Sequence, residues 1–391
     1  MNKRIYLSPP HMGGDELDYI HQAFEANWIA PLGENVDGFE EDLTAYTGVN
    51  HAAMVTTGTA AIHLGLILLG VEEGDEVICQ SFTFAASVNP IHYLKATPIL
   101  VDSEPDTWNI NPELLEEAIK DRIEKGKKPK AIILVHLYGM PAKMKEIQEI
   151  ADRYDIPILE DSAEALGSEI DGKKCGSFGK LGVISFNGNK IITTSGGGAL
   201  LGNDEDLIDG ARFYATQARG NALHYQHSQI GYNYRMSNIL AGIGRGQMKV
   251  LEDRIKTRRA IHDYYFENLG GKWLSENNGS ETLGANGEGI YFLKEPKGFK
   301  SNRWLTTIIV KPGEKYGVTA DDIREALDAE NIESRPLWKP MQLQPVFKEH
   351  PFYRSGVSEE IFQYGLCLPS GSNLTDEEKE RITDTILKLY D

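Results

Sequence analysis

A chain of 391 residues is longer than one hydrophobic core usually supports, so its length predicts two domains. The formal net charge of −18 excludes a surface built for nucleic acid or an anionic membrane, which need clustered Lys and Arg, while leaving room for a locally basic pocket. The three cysteines, Cys79, Cys175 and Cys367, lie far apart with no C-x-x-C pair, which argues against a metal framework and suits buried thiols in a reducing cytoplasm.

The start of the chain, Met1 to Pro10, has no apolar run followed by a small-residue cleavage site. Ala52–Val55 is the first predicted strand, followed by Thr56-Thr57-Gly58-Thr59 and an apolar helix over Ala60–Leu69. Glu76–Cys79 is the second strand, with a helix through Phe84–Leu94 behind it. Pro98–Val101 follows, then a helix over Pro112–Lys120 with proline in its first turn. Ala131–His136 is the fourth strand, Lys143–Tyr154 a helix, and Ile156–Leu159 a fifth strand running into Glu160-Asp161. Val183–Phe186 and Ala199–Leu201 complete the set. The alternation predicts an α/β fold with a mainly parallel seven-stranded sheet, helices on both faces, and any ligand beyond the carboxyl ends of the strands.

Past residue 245 the texture changes. Gln247–Leu269 reads as a long charged connector helix, and Gly270–Ser301, rich in Gly, Asn and Glu, as a loop. Trp304–Val310 is a predicted strand and Thr319–Glu330 a helix capped by Thr319, while Thr375 with Glu378 makes a capping box for the last helix. The division expected is therefore 1–245, an amino-terminal segment and large domain, and 246–391, the connector and a smaller α/β domain. Nothing approaches the ~18 to 20 apolar residues that span a bilayer, so a soluble cytoplasmic protein is the expectation.

Four polar or aromatic features follow predicted strands. Lys190 sits in a tight polar turn, Asn187-Gly188-Asn189-Lys190, ahead of Gly196-Gly197-Gly198. Three glycines suggest close passage or positive φ, and a lysine beside them is a Schiff-base nucleophile if its amine can be freed of its proton. Asp161 closes a strand where a carboxylate can hold a pyridinium N–H, or simply cap the next helix. Thr57-Gly58-Thr59 opens a helix whose free amides make an anion site, to which Ser185 can add a hydroxyl; ordinary capping is the plainer alternative. Phe84, in Ser81-Phe82-Thr83-Phe84, can stack on a flat ring or pack in the core. A phosphate cup, a stacking ring, a carboxylate and a lysine, all at one sheet edge, are what pyridoxal phosphate (PLP) requires.

On these residues the chain resembles the DegT/DnrJ/EryC1/StrS family of sugar aminotransferases, PLP enzymes of fold type I. The resemblance spans the chain, from Leu7-Ser8-Pro9-Pro10 and Trp28-Ile29-Ala30-Pro31 to Cys367-Leu368-Pro369-Ser370. Its carrying motifs are Gly188-Asn189-Lys190-Ile191, Tyr214-Ala215-Thr216-Gln217-Ala218-Arg219 and Gly231-Tyr232-Asn233-Tyr234-Arg235. The resemblance implies that Lys190 carries the cofactor and moves the proton, that Asp161 pairs with the pyridine nitrogen and that Phe84 stacks on the ring. It further implies that Gly58, Thr59 and Ser185 hold the phosphate, and that Asn233 reaches in from the second subunit of a homodimer with a shared active site. The resemblance also implies that Glu164 stands near the cofactor's ring oxygen, at a position where many relatives have His or Gln.

On the substrate side the candidates are Asn187, Arg219, His224, Arg335 and Trp338, with Tyr214 and Asn302-Arg303-Trp304 behind them. Arg335 and Trp338 lie in a proline-framed stretch, and an arginine with an indole suits a diphosphate and a sugar. His224 and His227 have H-x-x-H spacing but no helical frame or carboxylate partner, so no metal is expected. The implied reaction moves an amino group from glutamate to the C4 keto group of a UDP-linked 4-keto-6-deoxy-N-acetylhexosamine, as in bacillosamine synthesis. The alternatives are a dTDP- or GDP-linked keto sugar, or a non-catalytic sensor of sugar nucleotides on the same fold.

Overall fold

The structure, a computed structural model, describes residues 3–274, 283–285 and 287–391. All seven predicted strands of the large sheet are present: β1 (His51–Val55), β2 (Glu76–Gln80), β3 (Thr97–Val101), β4 (Ala131–Val135), β5 (Ile158–Asp161), β6 (Leu181–Ser185) and β7 (Gly198–Gly202). Their order is β1-β7-β6-β5-β4-β2-β3, and an eighth short strand, Phe352–Tyr353, joins parallel to β3 from late in the chain. Only β7 runs against its neighbours, β1 and β6; the other pairings are parallel.

These strands are apolar throughout because both faces are covered. Val77, Cys79 and Ile133 point to one side, into a core shared with the helix Gly58–Leu68. Ile78, Ile132 and Leu134 point to the other, against Leu115 and Ile147 of the helices Pro112–Glu124 and Met144–Tyr154. A second sheet of five strands has the order Lys272–Trp273, Gly289–Phe292, Thr306–Lys311, Gly365–Leu368, Arg335–Pro336. Ile308, Val310, Ile323, Ile382 and Ile386 fill its core, and Ile5 bridges to Ile332 at its margin. Both capping boxes form, at Thr319 with Asp322 and at Thr375 with Glu378.

Four predicted elements come out differently. The fifth strand begins at Ile158 and includes Glu160 and Asp161, because the Ile156 amide still donates to Ala151 O of the preceding helix and Pro157 has no amide to give. The helix expected through Phe84–Leu94 is a 3-10 turn, Ala85–Ser87, and a short helix, Asn89–Tyr93, restarted with Pro90 in its first turn. The long connector is two helices, Asn238–Met248 and Leu251–Asn268, because Val250 leaves the helical region at φ −108°, ψ 4°. The expected loop Gly270–Ser301 contains the strand Gly289–Phe292, whose buried Ile290, Tyr291 and Phe292 pair with Ile308–Val310. The stretches 275–282 and 286 of that loop lie outside the described residues. No described helix is long and apolar enough to cross a membrane.

Candidate active site

At the carboxyl ends of β1, β5 and β6 the chain encloses a cavity of about 300 Å³. Ten predicted residues line it together: Gly58, Thr59, Phe84, Asp161, Glu164, Ser185, Asn187, Lys190, Trp304 and Trp338.

The turn after β1 is built from close backbone approach. Thr57 caps the helix Gly58–Leu68 by accepting from Ala60 N–H at 2.9 Å, and the first helical bond runs from Ala61 N–H to Thr57 O. The amides of Gly58 and Thr59 precede that bond and are left without helical partners, at the positive end of the helix dipole. A Cβ on Gly198 of β7 would strike the Thr57 carbonyl carbon and the Gly58 nitrogen, and one on Gly58 would lie 3.0 Å from Ser185 Cβ. Gly197 is likewise blocked by Met236 and Thr194, whereas Gly196 has only a distant neighbour. Close packing thus explains two of the three consecutive glycines, and the positive φ in this stretch falls on Ser195 instead.

The carboxylate at the end of β5 is held by a relay. Ser87 Oγ–H donates to Asp161 Oδ2 at 2.7 Å, so the Thr83–Ser87 contact of 2.8 Å must have Thr83 as donor. Ala163 N–H donates to the other oxygen at 3.1 Å. Burial raises the Asp161 carboxyl above its usual range, although Ser87 and Ala163 oppose this, so the group gains from a cation placed against it. Glu164 is also buried and raised, while the Lys190 amine opposes the rise. Its Oε1 lies 3.5 Å from Lys190 Nζ and its Oε2 accepts the Tyr138 amide at 2.7 Å.

Phe84, Trp304 and Trp338 add aromatic rings to the lining, and Tyr138, which lines the adjoining hollow, packs between the two indoles. Phe84, half exposed, lies 5.2 Å from Trp338 with the planes 49° apart. Trp338 is near-parallel to Tyr138 at 6.0 Å, and Tyr138 to Trp304 at 6.3 Å. Trp304 in turn lies under Lys190, whose Nζ is 4.1 Å from the indole centroid. Tyr138 escaped the sequence reading. It adopts the left-handed region (φ 52°), donates its amide to Glu164 and accepts the Trp338 amide on its hydroxyl at 2.8 Å. The one sequence hint was its place beside Gly139, just after a strand.

Seven predicted residues lie outside this cavity: Tyr214, Asn302 and Arg303, together with Arg219, His224, Asn233 and Arg335. Arg335 is exposed and paired with Glu333 at 3.0 Å, on an adjoining hollow of about 650 Å³ that shares Asn189 and Trp338 with the first. Arg219, His224 and Asn233 are exposed on the segment 216–233. His227, the other half of the H-x-x-H pair, bonds Gln217 O at 2.8 Å. Among the described residues the one cluster with ligand-like spacing is His136, Glu160 and Cys175. Its atoms are already engaged: Ala142 N–H donates to His136 Nδ1, so Nε2 carries the proton to Glu160 Oε1 at 2.8 Å. The same carboxylate accepts the amides of Gly176, Phe178 and Gly179.

The cavity fits pyridoxal phosphate on three counts: amides at a helix start without helical partners for a phosphate, a buried carboxylate that makes no ion pair among the described residues, and a lysine amine lining the same cavity.

The sequence profile of the DegT/DnrJ/EryC1/StrS aminotransferase family matches residues 10–387. The chain is 51% identical over 394 residues to the "Putative pyridoxal phosphate-dependent aminotransferase EpsN" of Bacillus subtilis (strain 168), spanning 100% of this chain and 97% of that protein. It is 35% identical to the GDP-perosamine synthase of Escherichia coli O157:H7, over 99% of both chains. A solved DegT DnrJ EryC1 StrS aminotransferase from Brucella abortus superimposes with a TM-score of 0.84 at 31% identity, covering 96% of this chain and 95% of its own.

Proposed function

Because the chain belongs to the DegT/DnrJ/EryC1/StrS aminotransferase family, we propose that it moves an amino group from glutamate to the C4 keto group of a UDP-linked 4-keto-6-deoxy-N-acetylhexosamine. The enzyme is a PLP-dependent sugar aminotransferase; the identity of the nucleotide and of the sugar is the proposal. One observation carries the chemistry: the Lys190 amine, the buried Asp161 carboxylate and the amides at Gly58 converge on a single cavity.

When bound, the cofactor supplies an electron sink for the carbon that loses a proton. The residues of this chain do the rest. Gly58, Thr59 and Ser185 would hold the phosphate, Phe84 would cover the ring, and Asp161, steadied by Ser87, would keep the ring nitrogen protonated. Lys190 would bind the cofactor and carry the proton to and from the reacting carbon, with Glu164 beside it to steady the amine. Asn187, Trp338 and Arg335 face the sugar nucleotide. Asn233, Arg219 and His224 serve the site of a second copy, an assignment supported by their exposure on a segment that also leaves Leu223, Tyr225 and Ile230 uncovered. We place the reaction in the cytoplasm, in keeping with three buried, unpaired thiols.

The GDP-perosamine synthases at 35% identity favour a second reading, in which the nucleotide is GDP. Incubation with glutamate and UDP-, GDP- or dTDP-linked 4-keto sugars, with NMR of the products, decides between them. Turnover confined to the UDP sugar supports the first; turnover confined to the GDP sugar replaces it with the second.

A further inference from the structure

Next to Lys190, at the wall of the cavity, three distant parts of the chain meet at one carbonyl. Asn189 O, in the peptide that leads into Lys190, accepts the Ser8 hydroxyl at 2.7 Å and the Trp304 indole N–H at 2.8 Å. Both lone pairs of that oxygen are occupied. Ser8 belongs to the amino-terminal segment, and Trp304 stands just before the central strand of the second sheet, Thr306–Lys311.

Arg258, from the helix Leu251–Asn268, ties these two donors together. One guanidinium nitrogen donates to Ser8 Oγ at 3.0 Å and another to the Trp304 carbonyl. The side chain is 1% exposed, and burial together with the neighbouring Arg254 pulls it down to about 9. It remains charged at neutral pH, and among the described residues it makes no ion pair. A buried cation of this kind is costly. Here its identified partners are the hydroxyl and the carbonyl that fix the Lys190 turn.

The backbone around the indole is also constrained. Arg303 is buried yet takes a φ of 51°, and Asn302 brackets it by accepting the Trp304 amide at 2.9 Å and donating to Glu164 O at 3.0 Å. A left-handed, non-glycine residue costs energy unless its surroundings impose it, and such residues gather at functional sites. The turn aims the Trp304 ring at Lys190, whose amine lies 4.1 Å from the ring centroid.

We propose that Trp304 is the positioning residue of Lys190: its N–H pins the peptide that bears the lysine, its ring seats the amine, and Arg258 with Ser8 locks the indole in place. The role rests on Lys190 being the cofactor-bearing lysine. A lysine anchored at its backbone and guided along an aromatic face reaches the reacting carbon from one direction. It also takes the indole N–H out of substrate recognition, although Trp304 lines the cavity.

The test uses the full chain stripped of cofactor, with Trp304→Phe (ring kept, N–H lost), Trp304→Leu (both lost), Ser8→Ala and Lys190→Ala. Pyridoxal phosphate is added and the growth of visible absorbance is timed; kcat and KM are then measured for both substrates, and melting temperatures recorded. Trp304→Leu should lower both the rate of chromophore formation and kcat by roughly 10²-fold, the cost of a misplacement near 1 Å, with KM changed less than about twofold. Trp304→Phe and Ser8→Ala should each fall between wild type and Trp304→Leu on both rates, and they test the same pinning should Trp304→Leu fail to fold. Folded Trp304 variants with wild-type chromophore rates and kcat overturn the proposal. So does a rise in sugar-nucleotide KM at constant kcat, which makes Trp304 a substrate contact. Visible absorbance that survives in Lys190→Ala overturns the lysine assignment itself, and this role with it.

Discussion

The inner wall of the cavity and the segment 216–233 are built on opposite plans. At the inner wall the chain satisfies itself: both oxygens of Asp161 and both of Glu164 have partners from the same chain, and the carboxylates are buried. The segment 216–233 folds mostly on itself, with Arg219 over the Tyr225 ring at 4.4 Å and His227 bonded to Gln217 O. It leaves Leu223, Tyr225 and Ile230 almost fully exposed. Apolar side chains grouped this way mark a surface meant to be covered. On the proposed reading, the contrast teaches that one chain suffices to grip a cofactor, whereas the substrate's outer contacts belong to a pair.

The largest effects should fall on the inner wall. Lys190→Ala should abolish the visible absorbance of the loaded protein and cut turnover by roughly 10³-fold or more, since on the proposed reading it removes both the cofactor bond and the proton carrier. A spectrum unchanged by the substitution would mean that another lysine is responsible. Asp161→Asn keeps the shape but removes the charge that, on the proposed reading, holds the ring nitrogen protonated. A loss of about 10²-fold in kcat is expected, within the range for removing one fixed charge or donor from a reacting group. Wild-type turnover would show that Asp161 serves only as a cap for the segment after β5.

How much of this was legible follows the same line. Gly58, Asp161, Ser185 and Lys190 could be read because each stands at a strand end, and a parallel sheet gathers such ends on one edge. Tyr138 and Trp304 could not be given their places. Both reach the site through left-handed backbone, at Tyr138 itself and at Arg303, and no local pattern announces that a bulky residue will be forced there. The glycine run was read as close passage or positive φ; close passage holds at Gly197 and Gly198, while the positive φ belongs to Ser195. Gly289–Phe292 was hidden because a four-residue apolar run among Gly, Asn and Glu looks like loop until Thr306–Lys311 is there to pair with it.

The outer contacts should yield smaller losses and a different kind of evidence. Arg219→Ala or Asn233→Ala should lower kcat/KM by about tenfold, the value of one or two hydrogen bonds to a charged group. Mixing either variant with Lys190→Ala chains is the sharper measurement. If the segment serves a neighbour's site, a mixed pair rebuilds one complete site and activity returns. If each chain supplies its own outer contacts, the mixture stays as inactive as its parts, and the two regions belong to one chain after all.

The smallest effect expected is on stability, and its sign separates a site made for a ligand from one made for the fold. Burial raises the Asp161 carboxyl in the folded chain above its ordinary value. A group raised in this way contributes stability below the ordinary carboxylate range and loses that contribution as pH rises through the raised value. Where Asp161 ionises, its buried charge is therefore a burden, which on the proposed reading a protonated ring nitrogen relieves. Without cofactor, Asp161→Asn should melt no lower than wild type once the pH exceeds that raised value, and about 2 °C higher if the neutral amide keeps the bonds to Ser87 and Ala163. That advantage should vanish as the pH drops below the carboxylate range, where the native group is already neutral. With cofactor the order should invert, since only the carboxylate can pair with the ring nitrogen. Glu160 offers the control. Burial raises it too, but the His136 bond and the amides of Gly176 and Gly179 outweigh that and hold it below its usual range. Glu160→Gln should destabilise the chain above the carboxylate range whether or not cofactor is present. Differential melting of the two variants with and without cofactor would break the comparison if Asp161 behaved as Glu160 does.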